Sequence, residues 1–176
     1  THSNLVNFLT SMQQEPGFTA NDTLLAVTTI SFDIAGLEIY LPLISGGKVT
    51  LASHAEASDG RALLDLMKRE NPTVMQATPA TWRMLIEAGW KGSQQMKVLC
   101  GGEALHADLA TQLSPRCREL WNMYGPTETT IWSSVYRVNQ VEGTALIGCP
   151  IANTTFYILD PKRRPVSDFE LGQPGE

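Results

Sequence analysis

Four short apolar runs, Leu24 to Ile30, Val49 to Leu51, Thr73 to Gln76 and Met96 to Cys100, with Glu119 to Met123 as a further candidate strand, alternate with segments of helical length. This alternation constrains the fold more than any other feature of the chain. Strands that alternate with helices of ten or so residues run parallel in one sheet and need helices over both faces. The helical segments are Ile34 to Ile44, Asp59 to Glu70 with Leu63, Leu66 and Met67 on one face, Pro79 to Ala88 with proline near its start, and His106 to Leu113. The pattern predicts an α/β fold with a mostly parallel, doubly wound sheet. Beyond Tyr124 the runs shorten to Val135 to Val138, Ala145 to Ile147 and Thr155 to Leu159, separated by Gly and Pro turns, which predicts antiparallel strands toward the C-terminus. Residues Leu171 to Glu176 read as a terminal turn. The chain divides accordingly into an α/β part over 1–134 and the start of a β-rich part over 135–176.

At 176 residues, a single domain could bury roughly 70% of its unfolded surface. A composition of 43% hydrophobic and 18% charged residues excludes a disordered or fibrous chain. The net charge is −5 and the pI about 5.2. Its one basic cluster, Lys162-Arg163-Arg164, sits between Pro161 and Pro165 as a solvated turn, so no nucleic-acid footprint is expected. Cys100, Cys117 and Cys149 form no close pair, and His2, His54 and His106 are scattered, which argues against a disulfide framework or a zinc site. A reducing cytoplasm is the expected compartment. No apolar run approaches the ~20 residues of a membrane span, and the first residues do not resemble a signal peptide.

The densest chemical signal is Asn122-Met123-Tyr124-Gly125-Pro126-Thr127-Glu128-Thr129-Thr130, directly after a strand. Ligands of open α/β sheets sit at the carboxyl ends of the strands. There Tyr124 could stack on a planar base, Thr127 could donate to a phosphate oxygen, and Glu128 could hold a magnesium ion. The same residue types also suit a type I or II turn with a capping Thr and a Glu that favours a helix N-terminus. Likewise, Asp33 follows a strand at the start of a helix, where it could pair with a cation or simply interact with the helix dipole. Gly101 and Gly102 suit any tight turn between a strand and a helix.

The order Asn-x-Tyr-Gly-Pro-Thr-Glu resembles a signature of adenylation domains of nonribosomal peptide synthetases, within a superfamily that includes acyl-CoA synthetases. The resemblance extends to Ile30-Ser31-Phe32-Asp33, Gln76-Ala77-Thr78-Pro79-Ala80-Thr81, Leu99-Cys100-Gly101-Gly102-Glu103-Ala104 and Ile147-Gly148-Cys149-Pro150-Ile151-Ala152-Asn153, in family order. It implies a flavodoxin-like subdomain that activates an amino acid with ATP and Mg2+ and passes it to the phosphopantetheine of a carrier protein. By the same resemblance, Asp33 binds the α-ammonium, and Gly101, Gly102, Glu103, Ala104, Asn122, Tyr124, Gly125 and Thr127 surround the nucleotide. Thr127 meets the α-phosphate, and Glu128 holds the magnesium. A nucleotide-binding module without catalysis and an acyl-CoA synthetase-like enzyme are the alternatives; in the latter, Asp33 would have no ammonium to pair.

The family's pocket positions carry over to Asp33, Ile34, Leu37, Gln76, Leu99, Gly101, Met123, Ile131 and Trp132. Apart from Asp33 and Gln76 the set is apolar, and Trp132 is the largest side chain available to fill the floor. The resemblance therefore implies glycine as the substrate, with alanine next. Core placement of Trp132 and Met123 is the competing reading. In the family a phosphate loop precedes a segment like Thr1 to Leu5, and the ribose-binding Asp, hinge and catalytic Lys follow one like Gly172 to Glu176. The isolated 176 residues are accordingly expected to be inactive.

Overall fold

Parallel pairing in the computed structural model, which describes residues 1–139 and 142–166, runs through five strands in the order β2-β1-β3-β4-β5. They are β1 (Thr23–Ala26), β2 (Lys48–Leu51), β3 (Val74–Ala77), β4 (Ser93–Gly101) and β5 (Cys117–Tyr124). Two antiparallel strands, β6 (Ser134–Arg137) and β7 (Cys149–Pro150), extend the same sheet beyond β5. The expected α/β class and mostly parallel sheet are present.

Because side chains alternate across a strand, each one feeds two cores. On one face Leu25, Met75, Met96, Val98 and Leu120 pack beneath α4 (Gly60–Glu70), α5 (Pro79–Glu87) and α6 (Ala107–Leu113). On the other, Leu24, Val74, Leu99, Trp121 and Met123 pack beneath α1 (His2–Met12) and α2 (Ala35–Ser45). Burial of each large aliphatic side chain contributes roughly 1.5–3 kcal/mol. Local signals set the helix ends. Thr78 caps α5 by accepting from Thr81 N at 3.4 Å, with Pro79 at the first helical position. Asp59 caps α4 through Ala62 N at 2.8 Å, and Gly46 ends α2 at φ 71°.

Several expectations need correction. The first strand stops at Ala26 and does not reach Ile30, because the next two amides, Val27 N and Thr28 N, donate to the Glu38 carboxylate instead of to a neighbouring strand. Ala145 to Ile147 is not a strand: Ala145 N donates to Leu105 O and the run passes over the sheet's end. Among the described residues Thr155 to Leu159 has no partner strand; it makes an isolated bridge from Leu159 to Pro165 and leaves Tyr157 and Ile158 exposed. Not anticipated from the sequence were α1, the short α3 (His54–Ser58) with its Ser53/Glu56 capping box, and the strand β7. The proposed terminal turn at Leu171 to Glu176 lies outside the described residues.

Candidate adenylate-binding site

The carboxyl ends of the parallel strands gather most of the singled-out residues. Register places Gln76 beside Leu99, Leu99 beside Trp121, and Gly101 beside Met123. Since these pairs share a face, the side chains of Leu99 and Met123 enter one buried cluster with Leu37, Ile131 and Trp132, and Ile34 packs against it. Gly101 leaves the space that the Trp132 ring occupies: a Cβ there would meet Trp132 Cη2 at 2.8 Å and the Met123 carbonyl at 2.7 Å. Asp33 is half-buried in the turn before α2. Its backbone carbonyl accepts from Gly36 N at 2.8 Å, and its carboxylate has no hydrogen-bond or ion-pair partner among the described residues.

The polar centre of this cluster is a chain of three buried side chains. Trp132 Nε1 donates to Gln76 Oε1 at 2.7 Å, and Gln76 Nε2 donates to Glu38 Oε1 at 3.0 Å and to the Ile34 carbonyl at 3.2 Å. Glu38 Oε1 also accepts from Thr28 Oγ1 at 2.6 Å, and its Oε2 accepts from the Val27 and Thr28 amides, both at 2.9 Å. Burial pushes the Glu38 carboxyl above the usual carboxylate range, and these hydrogen bonds oppose the rise without cancelling it. Glu38 was missed in the sequence, although a carboxylate inside the apolar stretch Ala35 to Leu41 was a visible signal.

Beside the cluster opens a cleft of about 350 Å³, lined by Gly102, Glu103, Ala104, Asn122, Met123, Tyr124, Gly125, Pro126 and Trp132, with Thr144, Ala145 and Ile147 on the far wall. That size falls in the range of small-molecule sites. It brings together the expected nucleotide-binding residues except Gly101 and Thr127. Tyr124 is 47% exposed, and Gly102 holds φ +86° at the rim, a conformation that favours glycine. The Asn122 amide donates to the Leu146 carbonyl at 2.9 Å, tying the far wall to β5. Thr127 and Glu128 lie exposed on the turn Thr127–Thr129, just past Pro126.

Backbone geometry after that turn is unusual. Thr130 and Ile131 both take positive φ, 73° and 65°. Such conformations cost about 1–3 kcal/mol each in a non-glycine residue and persist where the surroundings over-determine them. Here Ser133 N returns to the Tyr124 carbonyl at 2.7 Å, and Thr129 Oγ1 meets Ser133 Oγ at 2.5 Å. Gly125 permits the return, for a Cβ there would stand 2.6 Å from both Ile131 O and Ser133 N. The loop thereby presses Trp132 into the cluster.

Residues 1–176 match the family described as AMP-binding enzyme. The chain belongs to that family. A PKS-NRPS hybrid synthetase of Aspergillus candidus is 42% identical over 177 residues, covering 100% of this chain and 7% of its own length. A dimodular nonribosomal peptide synthase of Bacillus subtilis is 40% identical, covering 98% of this chain and again 7% of its own. Among solved structures, a four-domain nonribosomal peptide synthetase bound to AMP and glycine superposes with a TM-score of 0.88 at 43% identity, over 94% of this chain and 12% of that one. The chain therefore spans only about a tenth of the length of the relatives it matches.

Proposed function

We propose that the chain is the amino-acid-selecting stretch of an adenylation domain in nonribosomal peptide synthesis, and that the amino acid is glycine, with alanine next. The observation that carries this reading is the position of Trp132, buried against Gly101 and Met123 where the carried-over pocket would otherwise have its floor. With Leu37, Leu99 and Ile131 packed around it, little space remains for a substrate side chain. The relative of 43% identity described as bound to AMP and glycine supports the same assignment.

In the proposed reaction the amino-acid carboxylate attacks the α-phosphorus of ATP. A bond forms between the carboxylate oxygen and phosphorus, the bond to the β-phosphate oxygen breaks, and pyrophosphate leaves. Asp33, with no protein partner for its carboxylate among the described residues, would pair with the substrate ammonium; Tyr124 would stack on adenine, Gly102 to Ala104 and Gly125 would flank it, and Thr127 would donate to the α-phosphate. Such chemistry depends mainly on positioning and charge neutralisation. Magnesium would supply part of that neutralisation. Glu128 fits it as a lone exposed carboxylate, because Mg2+ is usually held by one or two carboxylates together with water and substrate phosphates. Among the described residues no group of three His, Cys, Asp or Glu forms a ready-made metal cage.

A carrier-protein phosphopantetheine thiol is the proposed acceptor of the aminoacyl group, on the strength of the multidomain relatives. Their length is also the ground for expecting the isolated 176 residues to be inactive. A reducing cytoplasm suits the three free cysteines, and no helix among the described residues is long and apolar enough to cross a membrane. The test is amino-acid-dependent ATP–pyrophosphate exchange by the full-length protein with all twenty amino acids. Exchange with glycine, weaker with alanine and absent with larger side chains, is the expected result; a preference for a large amino acid would sink the pocket reading.

A further inference from the structure

We propose that Glu38 is a positioning residue for amino-acid selection: it fixes the orientation of the Gln76 amide and, through it, the Trp132 indole. The inference rests on the reading of Trp132 as the pocket floor, and it deepens that reading by adding a residue outside the pocket's own lining.

An indole N–H can only donate, and Glu38 Oε1 accepts from Thr28 Oγ1 as well as from the amide, whereas a primary amide can do either depending on which way it is turned. Gln76 stands between the two, with its carbonyl toward Trp132 Nε1 at 2.7 Å and its NH2 toward Glu38 Oε1 at 3.0 Å. The carboxylate at one end therefore dictates which amide atom faces the indole at the other. Turned over, Gln76 would set an N–H against the Trp132 N–H and leave a buried donor unpaired, which structures rarely tolerate.

Glu38 is itself held rigidly. It is fully buried, and its two oxygens accept four hydrogen bonds, two of them from consecutive backbone amides, Val27 and Thr28, just where β1 ends. No cation pairs with it among the described residues. It thus joins the end of β1, the start of α2 and the centre of β3 to a tryptophan on a loop with two strained residues, Thr130 and Ile131. A loop under such strain needs anchors, and the Trp132–Gln76 bond supplies one that reaches across the sheet.

The deciding experiment compares kcat/KM for glycine with kcat/KM for alanine in pyrophosphate exchange by the full-length protein and its Glu38→Gln variant. Loss of folded protein lowers both values together and leaves their ratio unchanged, so the ratio isolates positioning from stability. Glu38→Gln can offer Gln76 an NH2 in place of an oxygen, and the ratio should fall at least about tenfold, the scale of discrimination by one methylene, with KM for ATP unchanged. Glu38→Asp, which keeps the carboxyl group but withdraws the acceptor from Gln76, should give the same fall and serves where the amide variant does not fold. An unchanged ratio in a folded variant overturns the proposal. If the unmodified protein prefers another amino acid, the glycine assignment fails while the relay is tested on that substrate against its next larger homologue. If it shows no amino-acid-dependent exchange at all, the activation reading fails, and 19F NMR of fluorotryptophan-labelled protein decides the relay. The Trp132 resonance, assigned by its loss in Trp132→Phe, should move in the Glu38 variants; an unmoved resonance overturns the proposal.

Discussion

A Cβ placed on Gly101 would stand 2.8 Å from Trp132 Cη2 and 2.7 Å from the Met123 carbonyl oxygen. Neither neighbour can yield easily, since the indole is buried and hydrogen-bonded to Gln76 and the carbonyl belongs to the adjoining strand. Glycine at this position is therefore a requirement of space, set by how closely β4 and Trp132 approach each other.

Gly101→Ala should accordingly displace the indole, destabilise the protein by about 1–3 kcal/mol as overpacked sites do, and lower kcat/KM for glycine more than it lowers stability. Thermal melting and pyrophosphate exchange on the same preparation check both halves. An alanine variant with normal melting temperature and normal exchange would show that the two groups are not in contact.

Asp33→Asn should abolish amino-acid activation while leaving nucleotide affinity intact. Removing one partner of a desolvated ion pair costs roughly 3–5 kcal/mol. Asp33 is only half-buried, so a loss of at least about a hundredfold in kcat/KM is the expected scale. Exchange kinetics together with ATP binding by calorimetry separate the two effects, and undiminished exchange would remove the ammonium-binding role.

Away from the site, Lys97 Nζ donates to both the Pro16 and Gly17 carbonyls, tying the segment after α1 to β4. Burial holds its pKa below the usual lysine value, partly countered by Glu119 and Asp22. Between that lowered value and 10.5 the unfolded chain binds the extra proton, so this group makes stability rise with pH across that window. Lys97→Met should cost about 1–3 kcal/mol for each carbonyl left unpaired and should also remove the alkaline rise. Urea denaturation at a series of pH values measures both, and parallel pH profiles would refute the titration argument.

The three thiols should differ sharply in reactivity. Burial pushes Cys100 up to about 12 and Cys117 up to about 11, with Glu103 and Glu119 adding to the respective shifts, whereas Cys149 is exposed. The thiolate is the nucleophile, and at pH 8 a pKa near 11 leaves about one thiolate in a thousand. Iodoacetamide labelling with peptide mapping should therefore find Cys149 modified first. Cys117 labelling should increase about tenfold per pH unit below 11, provided the fold persists. Equal labelling of all three at pH 8 would contradict this burial pattern.

Local pattern alone determined the α/β class, the five parallel strands and four of the helices, because apolar period and capping chemistry act over a few residues. The spacing of Leu5, Phe8, Leu9 and Met12 also marked α1 and went unread. Site residues were legible where a motif placed them at strand ends, as with Gly102 to Ala104 and Asn122 to Pro126 around one cleft. Pairing was not legible in the same way. Thr155 to Leu159 is an apolar run of strand length, yet no strand lies beside it among the described residues, and the run to Ile30 lost its last residues to a side-chain acceptor on α2. Only the tertiary structure brought Glu38, Gln76 and Trp132 together, across 38 and 56 residues of chain. A hydrogen bond of that reach depends on β3 lying between β1 and β4, and strand order is a property of the whole packed sheet rather than of any segment within it.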